Sequence, residues 1–268
     1  MSTYEPIQIA ATLGPSSSDE ATLEAMLRAG VQVARLNFSW GTHEDHQRFV
    51  HQVRLAAGRL GRRIIIMQDL SGPRVQEGVC HTFDPEADVV TDKDLADIDA
   101  LVDLEINYVA QSFARDAADI EAVRSALAAQ GSAAKVIAKV ERLEALENLD
   151  EILTAADGVL VGCGDLSCVV PTERLPFVIK DIVRRARHAH VPCMVLARSE
   201  ASVVPDTPVL FSDAIAAAQL VLDGASALLL SHETATGDRP VDSIANLRSV
   251  VDTALKHASK GSIARFTV

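Results

Sequence analysis

No apolar run of about 18 residues occurs in this chain of 268 residues, and no basic start leads into an apolar stretch. Neither a membrane span nor a secretory signal is therefore visible, and a cytoplasmic setting is the expectation. An excess of basic residues is also missing: 25 Lys and Arg face 37 Asp and Glu, for a net charge of -12 and a pI near 5.1. That balance argues against broad binding to nucleic acid or to an anionic membrane, although a local basic pocket can still hold a small anion. Cysteine is sparse and lacks CxxC spacing: Cys80, Cys163, Cys168 and Cys193 are expected as free thiols, and a zinc site built on Cys163 and Cys168 is disfavoured.

What is present suits a globular domain, with 48% hydrophobic and 23% charged residues. The chain alternates strand and helix signals from the start. Ile7–Leu13 is β-rich; Gly14-Pro15 breaks it, and Ser16 to Ser18 with Asp19 offer caps for a helix over Glu20–Ala29. Val31–Phe38 reads as a strand, His43–Leu60 as a helix and Arg63–Asp69 as a strand whose apolar run suits burial on both faces. Residues 72–92 then form a connection longer than the usual βα loop of about 2–6 residues, as lids often do.

The rhythm resumes with helices over Asp92–Glu105 and Asp116–Gln130, a strand over Asn107–Ser112, and the strand carrying Lys139 and Glu141. Arg142–Ala156 reads as one helix, followed by a strand ending at Val161, a helix over Pro176–His190 and a strand over Cys193–Ala197. Phe211–Leu222 and Val241–Lys256 read as helices around a last strand, Ala225–Ser231. Eight strand and helix pairs in one chain predict a single (β/α)8 TIM barrel over residues 1–268, with no segment left for a second domain.

In such barrels the chemistry sits at the C-terminal ends of the strands. Here those ends carry Arg35, Asn37, Ser39, Asp69, Ser112, Lys139, Glu141, Asp165, Arg198 and Ser231, with Glu233 and Thr234 one step beyond. Lys139 and Glu141 are two apart on a strand and so face the same way, and Asp165 follows the next strand. Two carboxylates beside an ammonium suit a divalent cation with an anionic oxygen substrate. The plainer reading is an ion pair on the barrel rim.

Six segments then carry a resemblance: Ala11-Thr-Leu-Gly-Pro15, Ala34-Arg-Leu-Asn-Phe-Ser-Trp-Gly41, Gln68-Asp-Leu-Ser-Gly-Pro73, Ala138-Lys-Val-Glu141, Gly164-Asp-Leu166 and Leu230-Ser-His-Glu-Thr234. In order and spacing they resemble the pyruvate kinase family, of the phosphoenolpyruvate/pyruvate barrel superfamily, over nearly the whole chain. The resemblance implies that Glu141 and Asp165 hold magnesium (or manganese) and that Lys139 stabilises charge on the enolate and phosphoryl oxygens. It further implies that Asn37, Ser39 and Asp69 hold potassium, that Arg35 faces the phosphoryl group, and that the backbone at Gly164 and Asp165 receives the substrate carboxylate. Ser231 matches the family at the substrate side.

The chain departs from the family pattern as well. Such kinases carry a small β-barrel domain after the third strand and a regulatory domain after the eighth helix; here only the loop at about 72–92 stands at the first position, and Val268 follows soon after the last helix. Trp40 stands where the family has histidine, while Gln76 and Cys163 stand where it has arginine. Leu196-Ala197-Arg198 replaces an Ala-Thr-Gln pattern, removing a hydroxyl tied to proton delivery and adding a guanidinium suited to a second carboxylate.

These departures favour an enzyme that forms a metal-stabilised enolate of a 2-keto acid or enolpyruvate without a nucleotide, an aldol or retro-aldol C–C lyase or a decarboxylase. In it Lys139, Arg35 and Arg198 act on the substrate. The alternatives are a minimal pyruvate kinase working between phosphoenolpyruvate and ADP, and a non-catalytic protein that binds phosphoenolpyruvate or pyruvate. His81 and Cys80, in the long loop, are candidates to reach the mouth as acid or base, against simple exposure to solvent. His43 and His46 read as helix-face residues, Cys163 as a packing residue, and Trp40 as either a packed aromatic or a wall at the mouth. A homo-oligomer paired through the barrel helices is the expected assembly.

Overall fold

The computed structural model describes residues 7–77, 80–82, 87–198, 211–257 and 264–268. Eight parallel strands close into a barrel: β1 (Gln8–Thr12), β2 (Val31–Asn37), β3 (Ile65–Asp69), β6 (Tyr108–Gln111), β7 (Lys135–Val140), β8 (Gly158–Val161), β9 (Cys193–Leu196) and β10 (Ala227–Leu230). β1 pairs with both β2 and β10, which closes the ring. Most strand residues are buried, as expected where the interior packs one face and helices cover the other.

The helices are α1 (Glu20–Ala29), α2 (His43–Arg59), α3 (Asp92–Leu101), α4 (Ala117–Ala129), α5 (Leu143–Glu147), α6 (Leu149–Ala155), α7 (Cys163–Val169), α8 (Leu175–His188), α9 (Phe211–Asp223), α10 (His232–Ala235) and α11 (Pro240–His257). Their starts follow local chemistry. The Asp19 carboxylate accepts from the Thr22 amide at 2.9 Å, Thr42 with Asp45 and Thr91 with Asp94 form reciprocal capping pairs, and Asp116 caps α4. The single helix expected over Arg142–Ala156 is instead two, divided at Asn148, whose side-chain amide donates to the Arg115 carbonyl at 3.1 Å. No described helix is long and apolar enough to cross a membrane.

Residues 72–92 contain an antiparallel pair, β4 (Val75–Glu77) and β5 (Cys80–Thr82), with Gln76 opposite His81. The base of this hairpin is fixed at Gly72, where φ is +67° and an added Cβ would lie 3.0 Å from the Ser112 carbonyl oxygen. The Gly72 amide donates to the buried Asp94 carboxylate at 3.1 Å.

Period-two alternation inside the barrel decides where the polar side chains go. The interior is packed by Ala10, Val33, Met67, Ala110, Ile137 and Leu229, among others. Two residues further along the same strands stand Thr12, Arg35, Asp69, Ser112, Lys139 and Ser231. An apolar middle layer therefore carries a polar top layer on the same inward face. At the opposite end the C-terminal segment turns under the barrel, and Phe266 packs edge-on against Tyr108 with ring centroids 5.2 Å apart. Gly158 leaves the room it needs, since a Cβ there would meet the Phe266 ring at 2.7 Å.

Candidate functional site

The top layer is a charge network. Arg35 donates from Nε to Asp69 Oδ2 at 2.6 Å and from Nη1 to Thr12 Oγ1 at 2.9 Å and Ser231 Oγ at 3.3 Å. Lys139 Nζ lies 3.2 Å from Asp69 Oδ1 and 2.9 Å from Glu141 Oε1, and donates to Ser112 Oγ at 2.7 Å. All of these ionic groups are buried, which is tolerable only because each has a partner of opposite charge. Burial pushes the Asp69 carboxyl up, but the Arg35 guanidinium and the Lys139 ammonium outweigh it and hold the group below the usual carboxylate range.

Glu141 is held rigidly. Its Oε2 accepts from the Phe113 amide at 3.0 Å, and Gly162 makes space for it, since a Cβ at 162 would lie 2.4 Å from Glu141 Cγ and 2.5 Å from Oε1. Asp165, in the first turn of α7, meets His81 from β5, with Nδ1 and Oδ1 2.5 Å apart. The His81 ring also packs edge-on against Phe113, with centroids 5.9 Å apart. The hairpin thus brings a histidine to one of the two carboxylates at the mouth.

Arg35, Arg74, Lys139, Glu141, Gly164, Asp165 and Ser231, with Leu196 and Leu229, surround a cavity of about 150 Å³. At about 30 Å³ per water this holds a handful of solvent molecules, and it falls below the roughly 300–1,000 Å³ of pockets that enclose drug-sized ligands. The space suits a three-carbon acid. A nucleotide would have to lie outside it.

Among the described residues, no group of three or more His, Cys, Asp or Glu side chains is gathered tightly enough to hold a metal ion. The donors at the cavity are two carboxylates, Glu141 and Asp165, and two carboxylates completed by water and substrate are the usual protein share for magnesium. The residues present fit that cation. A monovalent cation has a separate candidate place: Ser39 Oγ is buried with no hydrogen-bond partner among the described residues, the Ser39 amide donates to Asn37 Oδ1 at 3.2 Å, and Asn37 is in register with Asp69.

Other residues singled out in the sequence fall elsewhere. Arg198 is exposed and does not line the cavity, although it is engaged in a contact of its own. Trp40 is 73% exposed, which rules out the packed aromatic. His46 stacks on Phe38 with centroids 4.0 Å apart, and its Nε2 lies 2.9 Å from the Trp40 carbonyl oxygen; His43 Nε2 lies 2.8 Å from Asp97. Both histidines serve the helix-face role expected of them. Burial pushes the Cys163 thiol up to about 11, so it is no thiolate nucleophile at neutral pH. Cys163 and Cys193 are free, but Cys168 is disulfide-bonded, which corrects the expectation of four free thiols. The side chains of Gln76 and Cys80 lie outside the described residues.

Sequence reasoning passed over Arg74 and gave no role to Ser112 and Thr12. The last two share the inward face of their strands with apolar interior residues two positions earlier, a pattern open to inspection. Arg74 belongs to no motif.

The chain matches the family model described as pyruvate kinase, barrel domain, over residues 4–89 and 81–244, two segments that overlap at the hairpin. It is 27% identical to a pyruvate kinase of Mycobacterium intracellulare over 325 aligned positions, covering 91% of this chain and 69% of the relative. A pyruvate kinase of Thermococcus litoralis is 27% identical, with 92% and 69% covered, and one of Buchnera aphidicola is 28% identical, with 96% and 71% covered. The aligned positions outnumber the 268 residues of this chain, so these relatives hold sequence within the aligned span that this chain lacks.

Proposed function

This chain belongs to the pyruvate kinase barrel-domain family, and from that premise we propose that its mouth binds phosphoenolpyruvate and pyruvate and exchanges the phosphoryl group with a nucleoside diphosphate. One observation carries the reading: a buried lysine, Lys139, is fixed by Asp69, Glu141 and Ser112 on the inward face of a barrel strand, facing a cavity the size of a three-carbon acid. A lysine so placed stabilises negative charge that develops on the bridging oxygen.

In the forward direction an acceptor phosphate oxygen forms a bond to phosphorus while the bond from phosphorus to the enol oxygen breaks. The electron pair stays on that oxygen, beside Lys139. The enolate then takes a proton at its methylene carbon to give pyruvate. Ala197 offers no hydroxyl for that delivery and is buried, so the proton comes from another group at the mouth or from solvent. Glu141 and Asp165 would hold a magnesium or manganese ion, which supplies charge neutralisation and a fixed seat for the substrate oxygens. Asn37, Ser39 and Asp69 would hold a potassium ion. Arg35 donates toward the phosphoryl oxygens, the backbone at Gly164 and Asp165 receives the carboxylate, and Ser231 keeps Arg35 in position.

The lyase reading rested on the departures at Trp40, Gln76, Cys163 and Ala197 and on the added Arg198; Arg198 lies exposed outside the cavity lining, and the relatives are named pyruvate kinases. The kinase reading therefore takes precedence. Within it, the hairpin of β4 and β5 stands in place of a separate domain beside the mouth, and its His81 bears on Asp165.

A coupled assay that follows pyruvate formation from phosphoenolpyruvate and magnesium, with and without ADP, tests the proposal. ADP-dependent pyruvate is the expected result. Pyruvate and free phosphate without ADP would make water the acceptor. Absence of turnover, together with absence of deuterium exchange into the pyruvate methyl group, would overturn both the kinase and the enolate readings.

A further inference from the structure

We propose that Arg74 is the residue that recognises the phosphoryl group, forming with Arg35 a two-guanidinium clamp on one side of the cavity; this rests on the functional reading above. Three observations converge on it. First, Arg74 lines the cavity, half-buried, from the segment leading into β4, while the next residue, Val75, is 64% exposed. Alternation along this extended segment turns Arg74 inward as Val75 turns out. Second, its backbone is anchored two residues earlier, where Gly72 is tied to Asp94 and packed against Ser112. A guanidinium on a fixed backbone loses less freedom on binding.

Third, the other two cations at the cavity are committed to partners, whereas Arg74 is not. Lys139 is paired with Asp69 and Glu141, and Arg35 with Asp69. Arg74 makes no hydrogen bond or ion pair among the described residues. Arg35 commits Nε and Nη1 and has no described partner at Nη2. Two guanidinium groups thus offer unused N–H donors to one small cavity, and guanidinium forks suit the several oxygens of a phosphoryl group. Arg74 also supplies the positive charge whose loss at Gln76 counted against the kinase in the sequence, from a position two residues earlier.

Isothermal titration of the full chain with manganese present, using phosphoenolpyruvate and oxalate as the probes, separates this inference from the functional reading. The wild-type chain should bind both. Arg74→Ala should weaken phosphoenolpyruvate by about 10- to 100-fold, the loss expected for charge-assisted hydrogen bonds, and leave oxalate within about twofold. Arg74→Lys should recover part of the loss. Equal weakening of both ligands, or an unchanged affinity for phosphoenolpyruvate, would overturn the Arg74 assignment while the functional reading stands. Failure of the wild-type chain to bind either ligand would overturn the functional reading and the assignment with it.

Discussion

At the N-terminal end of the barrel the strands converge on Tyr108, Gly158 and Phe266, and at the C-terminal end on Arg35, Asp69 and Lys139. The first end is closed by shape: an aromatic ring fills the space left by a glycine, and the Phe266 backbone is bonded in both directions by the Gln8 side chain, accepting at 3.3 Å and donating at 3.1 Å. The second end is held by charge, with each buried ion matched and a small cavity left above them. The same strands carry both, so a barrel can assign stability to one end and chemistry to the other.

Substitutions at each end test that division. The largest effect belongs to the closed end. Phe266→Ala should cost about 3–5 kcal/mol of stability, as for other buried Phe to Ala changes, while the folded fraction keeps the proposed turnover of phosphoenolpyruvate. Urea unfolding beside initial rates measures both, and a rate lost in folded protein would break the comparison. Next comes Lys139→Met at the open end, expected to lower kcat by roughly 10²–10³, in line with removal of one charge-stabilising donor. Stopped assays on protein whose circular dichroism is intact would show this, and a change of only a few fold would move the chemistry elsewhere.

Smaller is Gly162→Ala, which drives a methyl into the Glu141 carboxylate. Manganese affinity read by electron paramagnetic resonance should fall about tenfold, or ~1.4 kcal/mol, and unchanged affinity would remove Glu141 as a ligand. The smallest effect concerns His46, whose pKa burial lowers from 6.5, with the Trp40 carbonyl opposing. The unfolded chain therefore takes up a proton that the folded chain resists, and stability should decline as pH falls below 6.5 toward the folded value. Denaturation midpoints between pH 7 and pH 5 should slope less in His46→Gln, and equal slopes would show that His46 takes no part in the dependence.

Much of the open end was legible beforehand, because it rests on local order. Lys139 and Glu141 share a face by strand alternation, and Arg35, Asp69 and Ser231 lie at or beside the C-terminal ends of strands whose apolar runs announce them. The hairpin is not legible because its strands are three residues each, too short for alternation to register, and the same holds for Arg74 beside it. The exposure of Trp40 and the distance of Arg198 from the cavity depend on which way a residue beyond its strand turns, and spacing does not encode that. Least visible was the plug: Phe266 meets Gln8 across nearly the whole chain, and no local pattern marks such a contact.

The placement of Trp40 has an optical consequence. It is the one tryptophan of the chain and is 73% exposed beside the open end. Tyr108, the one described tyrosine, lies at the closed end, where its hydroxyl accepts from the Thr267 amide at 2.8 Å. Indole emission therefore reports on the rim and says little about the core, whereas near-ultraviolet dichroism from Tyr108 follows the plug. Each chromophore watches a different end of the barrel, and an unfolding curve drawn from tryptophan alone would follow the rim while missing the interior that holds it up.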